Sequence, residues 1–126
     1  MLNIKALFKK KNSAPKKKYT TEILVKECLA HLLQHKDDSI CVVGFDIPDN
    51  KNHAQFVMQE KGRPGGGHMQ LLVNVSRPGS DLQYSNFLET GTREQVIAYL
   101  KEPASVNDAL DSVNSLSAEC DAREGR

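Results

Sequence analysis

Between Thr20 and about Lys36 the apolar residues recur every three or four positions, which predicts an amphipathic helix. Thr20 or Thr21 is suited to cap its N-terminus, and the polar residues 37–39 end it. The centre of its apolar stripe consists of Val25, Cys28, Leu29 and Leu32. Leu24 and Leu33 lie at the margins of the stripe.

The pattern then changes to a period of two, which is typical of strands. Alternation extends over residues 40–47, 54–60 and 68–76, and it is most regular in the third run. The intervening segments are rich in Pro, Asn and Gly, as turns are. We therefore expect an antiparallel meander with one apolar face and one largely polar face, in which the third strand can be an edge that pairs with another chain.

Residues opposed in a sheet share a face, so the apolar sets align only when paired residue numbers have an odd sum. Phe45 opposite Phe56 and Met58 opposite Leu71 satisfy this condition. These two pairs are the predicted registers.

Two further helices are predicted at the C-terminal end of the chain. Thr92 and Gln95 form a capping box that opens a short helix, and Glu102–Pro103 ends it. Its inward residues are Val96, Ile97 and Leu100. Ser105 is expected to begin the last helix, whose apolar arc contains Val106, Ala109, Leu110, Val113, Leu116 and Cys120. Residues 77–91 alternate poorly, which leaves a fourth strand there as an open alternative.

The predicted fold class is therefore α+β: an N-terminal helix, an antiparallel three- to four-stranded meander, and two C-terminal helices on one sheet face. The length of 126 residues fits one domain, and no apolar run is long enough to cross a membrane. The three cysteines show no disulfide or metal spacing, which argues against a disulfide-stapled protein.

The net charge of +1 conceals a division of the chain. Residues 1–18 contain seven of the seventeen basic residues and no acid, which leaves ten basic against sixteen acidic residues in 19–126. We interpret 1–18 as a flexible basic tail and 19–126 as a single acidic domain.

The tail also has apolar residues at helical spacing, including Met1 and Ile4. A short basic amphipathic helix can attach weakly to an anionic membrane or to nucleic acid. The residues that would carry this attachment are Leu7, Phe8, Lys9, Lys10, Lys11, Lys16, Lys17 and Lys18. The alternative is a loosely ordered terminus without a binding role.

Two groups of residues suggest ligand chemistry without a complete motif. Cys28, His31 and His35 could approach one metal ion from one helix, but Cys28 lies in the apolar stripe, so we expect no metal and no cofactor. Lys61, Arg63 and His68 surround a glycine-rich segment that could hold an anion, although a mobile hairpin loop is the favoured interpretation.

The serines and cysteines occur in no recognisable catalytic motif, and we expect the protein not to be an enzyme. The polar face of the predicted sheet suits a moderately polar protein interface. Its candidate residues are Gln55, Val57, Gln59, Gln70, Leu72 and Asn74. The favoured function is a cytoplasmic protein-interaction module of the adaptor, chaperone-like or immunity-like kind, with another protein as its partner. A homodimer, a protein at a membrane or nucleic-acid surface, and a small metal- or ligand-binding domain remain alternatives.

Overall fold

The computed structural model describes residues 20–63 and 65–124, and it contains three helices and four strands in that range. The basic tail predicted for residues 1–18 lies outside the described residues. The elements in chain order are α1 (Thr21–Gln34), β1 (Ile40–Asp46), β2 (His53–Glu60), β3 (His68–Ser76), β4 (Tyr84–Thr92), α2 (Arg93–Lys101) and α3 (Pro103–Arg123).

The four strands form one antiparallel sheet in the order β1-β2-β3-β4, and the helices pack on one of its faces. The predicted α+β fold with a three- to four-stranded antiparallel sheet is confirmed, and the number of strands is four. The prediction that the third strand is an edge is wrong, because β4 pairs along β3 and the edges are β1 and β4. A bulge explains the poor alternation of β4: Leu71 pairs with Glu89 while Leu72 pairs with Phe87, so Leu88 is skipped.

The predicted register is correct for one strand pair and displaced by two residues in the other. Met58 lies opposite Leu71 as predicted. Phe45 lies opposite Ala54 instead of Phe56, so that prediction is wrong, although the faces are unchanged because a shift of two preserves them. The β1–β2 turn sets the register, since the Ile47 N–H donates to the Asn52 carbonyl at 2.7 Å. The Phe45 and Phe56 rings still meet diagonally, edge to face, with centroids 5.8 Å apart.

Side-chain caps fix two of the three helix starts. The Ile23 N–H donates to Thr20 Oγ1 at 3.3 Å, and the predicted capping box at the start of α2 is present. The prediction for α3 is wrong by two residues, because this helix begins at Pro103. Ser105 is buried and donates its hydroxyl to the Leu100 and Glu102 carbonyls, so it joins the two helices instead of capping α3.

The core lies between the helices and one face of the sheet. The predicted stripe of α1 is buried, with Leu33 partly so, and all three cysteines are buried. The central strands contribute the fully buried residues Ala54, Phe56, Met58, Met69, Leu71, Val73 and Val75. These residues occupy every second position of β2 and β3 and face the helices, so the residues between them lie on the opposite face of the sheet.

A buried polar contact fastens the β1–β2 turn to the end of α3. Asn52 is fully buried, and its side-chain amide donates to Ser117 Oγ at 2.8 Å and to Asp121 Oδ1 at 2.9 Å. The Asn52 N–H in turn donates to Asn50 Oδ1 at 3.0 Å, which shapes the turn itself. These bonds join segments that are far apart in the chain and fix the height of the turn over the helix.

We predict that Asn52→Ala lowers the free energy of unfolding by about 1–3 kcal/mol, because it removes two hydrogen bonds from a buried site and leaves a cavity there. Urea denaturation followed by circular dichroism measures this change. Asn114→Ala is the matched control, since Asn114 is exposed on the same helix and its loss should change the free energy by less than about 0.5 kcal/mol. Equal effects of the two substitutions would contradict the assigned role of Asn52.

Candidate protein-interaction surface

The face of the sheet opposite the helices, here named the open face, carries a continuous apolar row across all four strands. Val42 lies opposite Val57, Val57 opposite Leu72, and Leu72 opposite Phe87. Because opposed residues share a face, the four side chains stand in one line perpendicular to the strands. Phe87 is 65% exposed and Val42 is 45% exposed, whereas Val57 in the middle of the row is only 7% exposed.

On each side of this apolar row the two central strands carry polar residues, and the exposed Ile40 of β1 lies at the end of one of these rows, opposite Gln59. On one side Gln59 is opposite Gln70, and on the other Gln55 is opposite Asn74. The six residues that the sequence analysis placed on a polar sheet face are therefore brought together, as two pairs of amides around Val57 and Leu72. They form the centre of the open face.

The open face is almost without charge. The paired strand positions on this face include one carboxylate, Asp46, and no lysine or arginine. Asp46 lies at a corner, where its Oδ1 is 3.2 Å from the Nδ1 of His53. A side chain at Gly44 would place its Cβ only 2.9 Å from the Nε2 of His53, so this glycine leaves room for the imidazole.

The two ends of the apolar row are not among the residues predicted for the candidate site. Val42 is absent from the six predicted residues, and Phe87 lies in residues 77–91, for which a fourth strand is only an open alternative in the sequence. The spacing alone could not have found them, because positions 42, 57, 72 and 87 are fifteen residues apart, but so are Val43 and Met58, which are not opposed. The register of each strand pair is needed to recognise the row.

The glycine-rich β2–β3 loop binds a carboxylate of the chain itself. The Gly67 N–H donates to Glu60 Oε2 at 3.2 Å, and the N–H groups of Gly65 and Gly67 hold the pKa of Glu60 below its usual range. The amides that were expected to cradle an anion thus already have an acceptor. Lys61, Arg63 and His68 are exposed around the loop, and anion binding by their side chains stays a prediction.

This contact should give the loop a pH dependence. Because the folded pKa of Glu60 is lowered, the contact is complete above the ordinary value of 4.5 and is lost as the pH falls through the folded pKa. We expect the Gly67 N–H resonance in NMR spectra to titrate with a midpoint below 4.5. Glu60→Gln should abolish that titration. A midpoint at or above 4.5, or one that survives the substitution, would contradict the contact.

The candidate metal residues are only partly brought together. The His31 and His35 rings are adjacent, with centroids 4.5 Å apart, and desolvation together with His35 lowers the pKa of His31. Cys28 is fully buried in the core, and burial raises the pKa of its thiol to about 12. Among residues 20–63 and 65–124, no three His, Cys, Asp or Glu side chains are grouped to hold a metal ion.

No helix in the described part of the chain is long and apolar enough to span a membrane. The residues proposed for surface attachment, in the segment 1–18, lie outside that part. No protein-family model, curated protein or solved structure matches this chain. The functional argument therefore depends on the open face itself.

Proposed function

We propose that this protein is a non-enzymatic protein-binding module and that the open face is its binding surface. The observation that carries the proposal is the apolar row from Val42 to Phe87, which crosses all four strands and is exposed at both of its ends. An apolar centre with hydrogen-bonding side chains at its margins is the usual arrangement of a protein interface.

The energetic reason lies at the exposed ends of the row. Burying a Phe or Val side chain contributes about 1.5–3 kcal/mol, and Phe87 keeps most of its surface in water in the unbound protein. That contribution is therefore unused in folding and available for binding. The amides of Gln59 and Gln70 supply donors and acceptors beside the apolar row, which gives orientation as well as affinity.

The surroundings of the reactive side chains support a non-enzymatic role. Burial raises the pKa of both the Cys28 and the Cys41 thiol, and a protonated thiol is a weak nucleophile. The two His–Asp contacts, at His35 and His53, lie at exposed positions on the surface. We propose a cytoplasmic location on the same residues, since Cys28 and Cys41 are free thiols in the fold.

A second candidate function is attachment to an anionic membrane or nucleic acid through residues 1–18. Seven lysines without an acidic residue in that segment favour it. Such attachment would weaken with salt and would not depend on the open face.

Affinity capture from the source cell tests the proposal with two substitutions. Phe87→Ser removes the most exposed apolar side chain of the row, whereas Leu82→Ser removes one that is 57% exposed and outside the strands. Proteins captured by the wild-type chain should be retained by Leu82→Ser and lost from Phe87→Ser. All three chains should show similar melting temperatures, because exposed side chains contribute little to folding.

The same experiment separates the competing interpretations. An identical set of captured proteins from all three chains would overturn binding through the open face. Capture that is unaffected by Phe87→Ser but is lost in high salt would favour attachment through residues 1–18.

A further inference from the structure

We propose that the open face binds a second copy of this chain, giving a dimer with the two sheets packed face to face. This inference rests on the proposed function and specifies the partner. The twofold axis lies between the sheets and parallel to the strands, so that Val42 of one copy meets Phe87 of the other. The charge, the hydrogen-bonding groups and the side-chain sizes of the open face support this dimer.

The low charge of the open face favours contact between two copies. The described domain belongs to a segment with sixteen acidic and ten basic residues, so most pairings of its surfaces bring like charges together. The open face avoids this repulsion, because Asp46 is the one carboxylate among its paired strand positions and lies at a corner. It is therefore a surface through which two acidic copies can approach closely.

The polar groups of the open face are of a kind that can form hydrogen bonds with the same groups of a second copy. A twofold interface places a patch against itself, so its polar groups must be able to pair with their own kind. Carboxylates and ammonium groups fail this condition, whereas a primary amide carries both donors and acceptors. The axis proposed here places Gln59 of one copy opposite Gln70 of the other, and Gln55 opposite Asn74.

The sizes of the side chains distinguish between two possible twofold axes in the plane of the interface, one along the apolar row and one along the strands. An axis along the apolar row would place Phe87 on Phe87 at one end and Val42 on Val42 at the other. Large residues would then meet at one end and small residues at the opposite end, which leaves a wedge-shaped gap. An axis along the strands pairs a large with a small side chain at both ends, which keeps the sheets at one separation, as in aligned sheet packing.

The size of the face sets the expected strength of the dimer. Four strands of seven to nine residues cover about 19 Å by about 26 Å, or about 500 Å² in projection for each copy. The total of about 1,000 Å² is below that of standard stable interfaces. We therefore expect a reversible dimer with a dissociation constant of order micromolar or weaker.

Sedimentation velocity of the full chain over a concentration series from micromolar to millimolar tests the dimer. The sedimentation coefficient should rise with concentration for the wild-type chain and for Leu82→Ser. Phe87→Ser should raise the dissociation constant about tenfold or more, since the twofold axis makes one substitution remove the aromatic contact at both ends of the row. A Phe56→Ala chain is not a suitable control, because Phe56 is fully buried and its loss would unfold the core.

A complementary pair of charges tests the axis. Val42→Lys and Phe87→Glu each place a charge against an apolar residue in both halves of a self-dimer, so each chain alone should be monomeric. Mixed together, they should form a heterodimer in which the introduced lysine meets the introduced glutamate at one end and the native pair remains at the other. An axis along the apolar row would bring neither pair together, so a mixture that stays monomeric overturns the proposed geometry.

The failure of the dimer is distinguishable from the failure of the proposed function. A wild-type chain that is monomeric at every concentration overturns the dimer, and a dissociation constant that is unchanged in Phe87→Ser overturns dimerisation through the open face. If capture of other proteins still depends on Phe87, binding through the open face stands with a different partner. A third outcome concerns the N-terminal segment of the same chain. In a monomeric Phe87→Cys chain, slow reaction of the introduced thiol with a thiol reagent would show that the open face is covered. If replacing Leu7 and Phe8 by Ser then makes this reaction fast, the occupant is the N-terminal segment.

Discussion

Antiparallel pairing is the constraint on which the rest of this structure depends. Opposed residues of neighbouring strands share a face, so a single register for each strand pair decides the content of both faces at once. The registers that place Met58 against Leu71 on the covered face also place Val57 against Leu72 on the open one. The core and the candidate binding surface are therefore two results of the same set of backbone hydrogen bonds.

The bulge in β4 shows how closely the two faces are coupled. Without the skipped residue, β4 could not present Tyr84 beside Val75 on the covered face together with Thr90 beside Gln70 on the open face. The covered face gains a further contact there, since the Tyr84 hydroxyl donates to Glu124 Oε2 at 2.8 Å after the end of α3. The open face keeps Phe87 in line with the other three members of its apolar row.

The parts of the fold that followed from the sequence are those fixed by local chemistry. The apolar stripe of α1, the alternation of β3 and the capping box at Thr92 depend on residues that are close in the chain. The two features that were predicted wrongly depend on contacts between elements. Ser105 donates to the Leu100 carbonyl of the preceding helix instead of capping α3, and the β1–β2 register is set by a turn that Asn52 fastens to the distant Ser117.

The same distinction applies to the candidate site, of which one part could be predicted from single strands and another part depends on how the strands pair. Alternation alone predicted the central amides and aliphatic residues of the open face, because each strand could be considered separately. The ends of the apolar row were missed, because recognising Phe87 as a member requires the β3–β4 register and its bulge. The composition of the glycine-rich loop suggested an anion site, and it could not show that the carboxylate of Glu60 in the same chain accepts hydrogen bonds from the loop amides.

The most direct test of the account is an isotope-filtered nuclear Overhauser experiment on a mixture of labelled and unlabelled full-length chains. Within one copy, Val42 and Phe87 are three strand spacings apart, or about 14 Å, which is too far for a cross-peak. The account predicts intermolecular cross-peaks between the Val42 methyl groups and the Phe87 ring. Cross-peaks from Phe87 to Phe87 instead, or ring resonances that do not change with concentration, would contradict it.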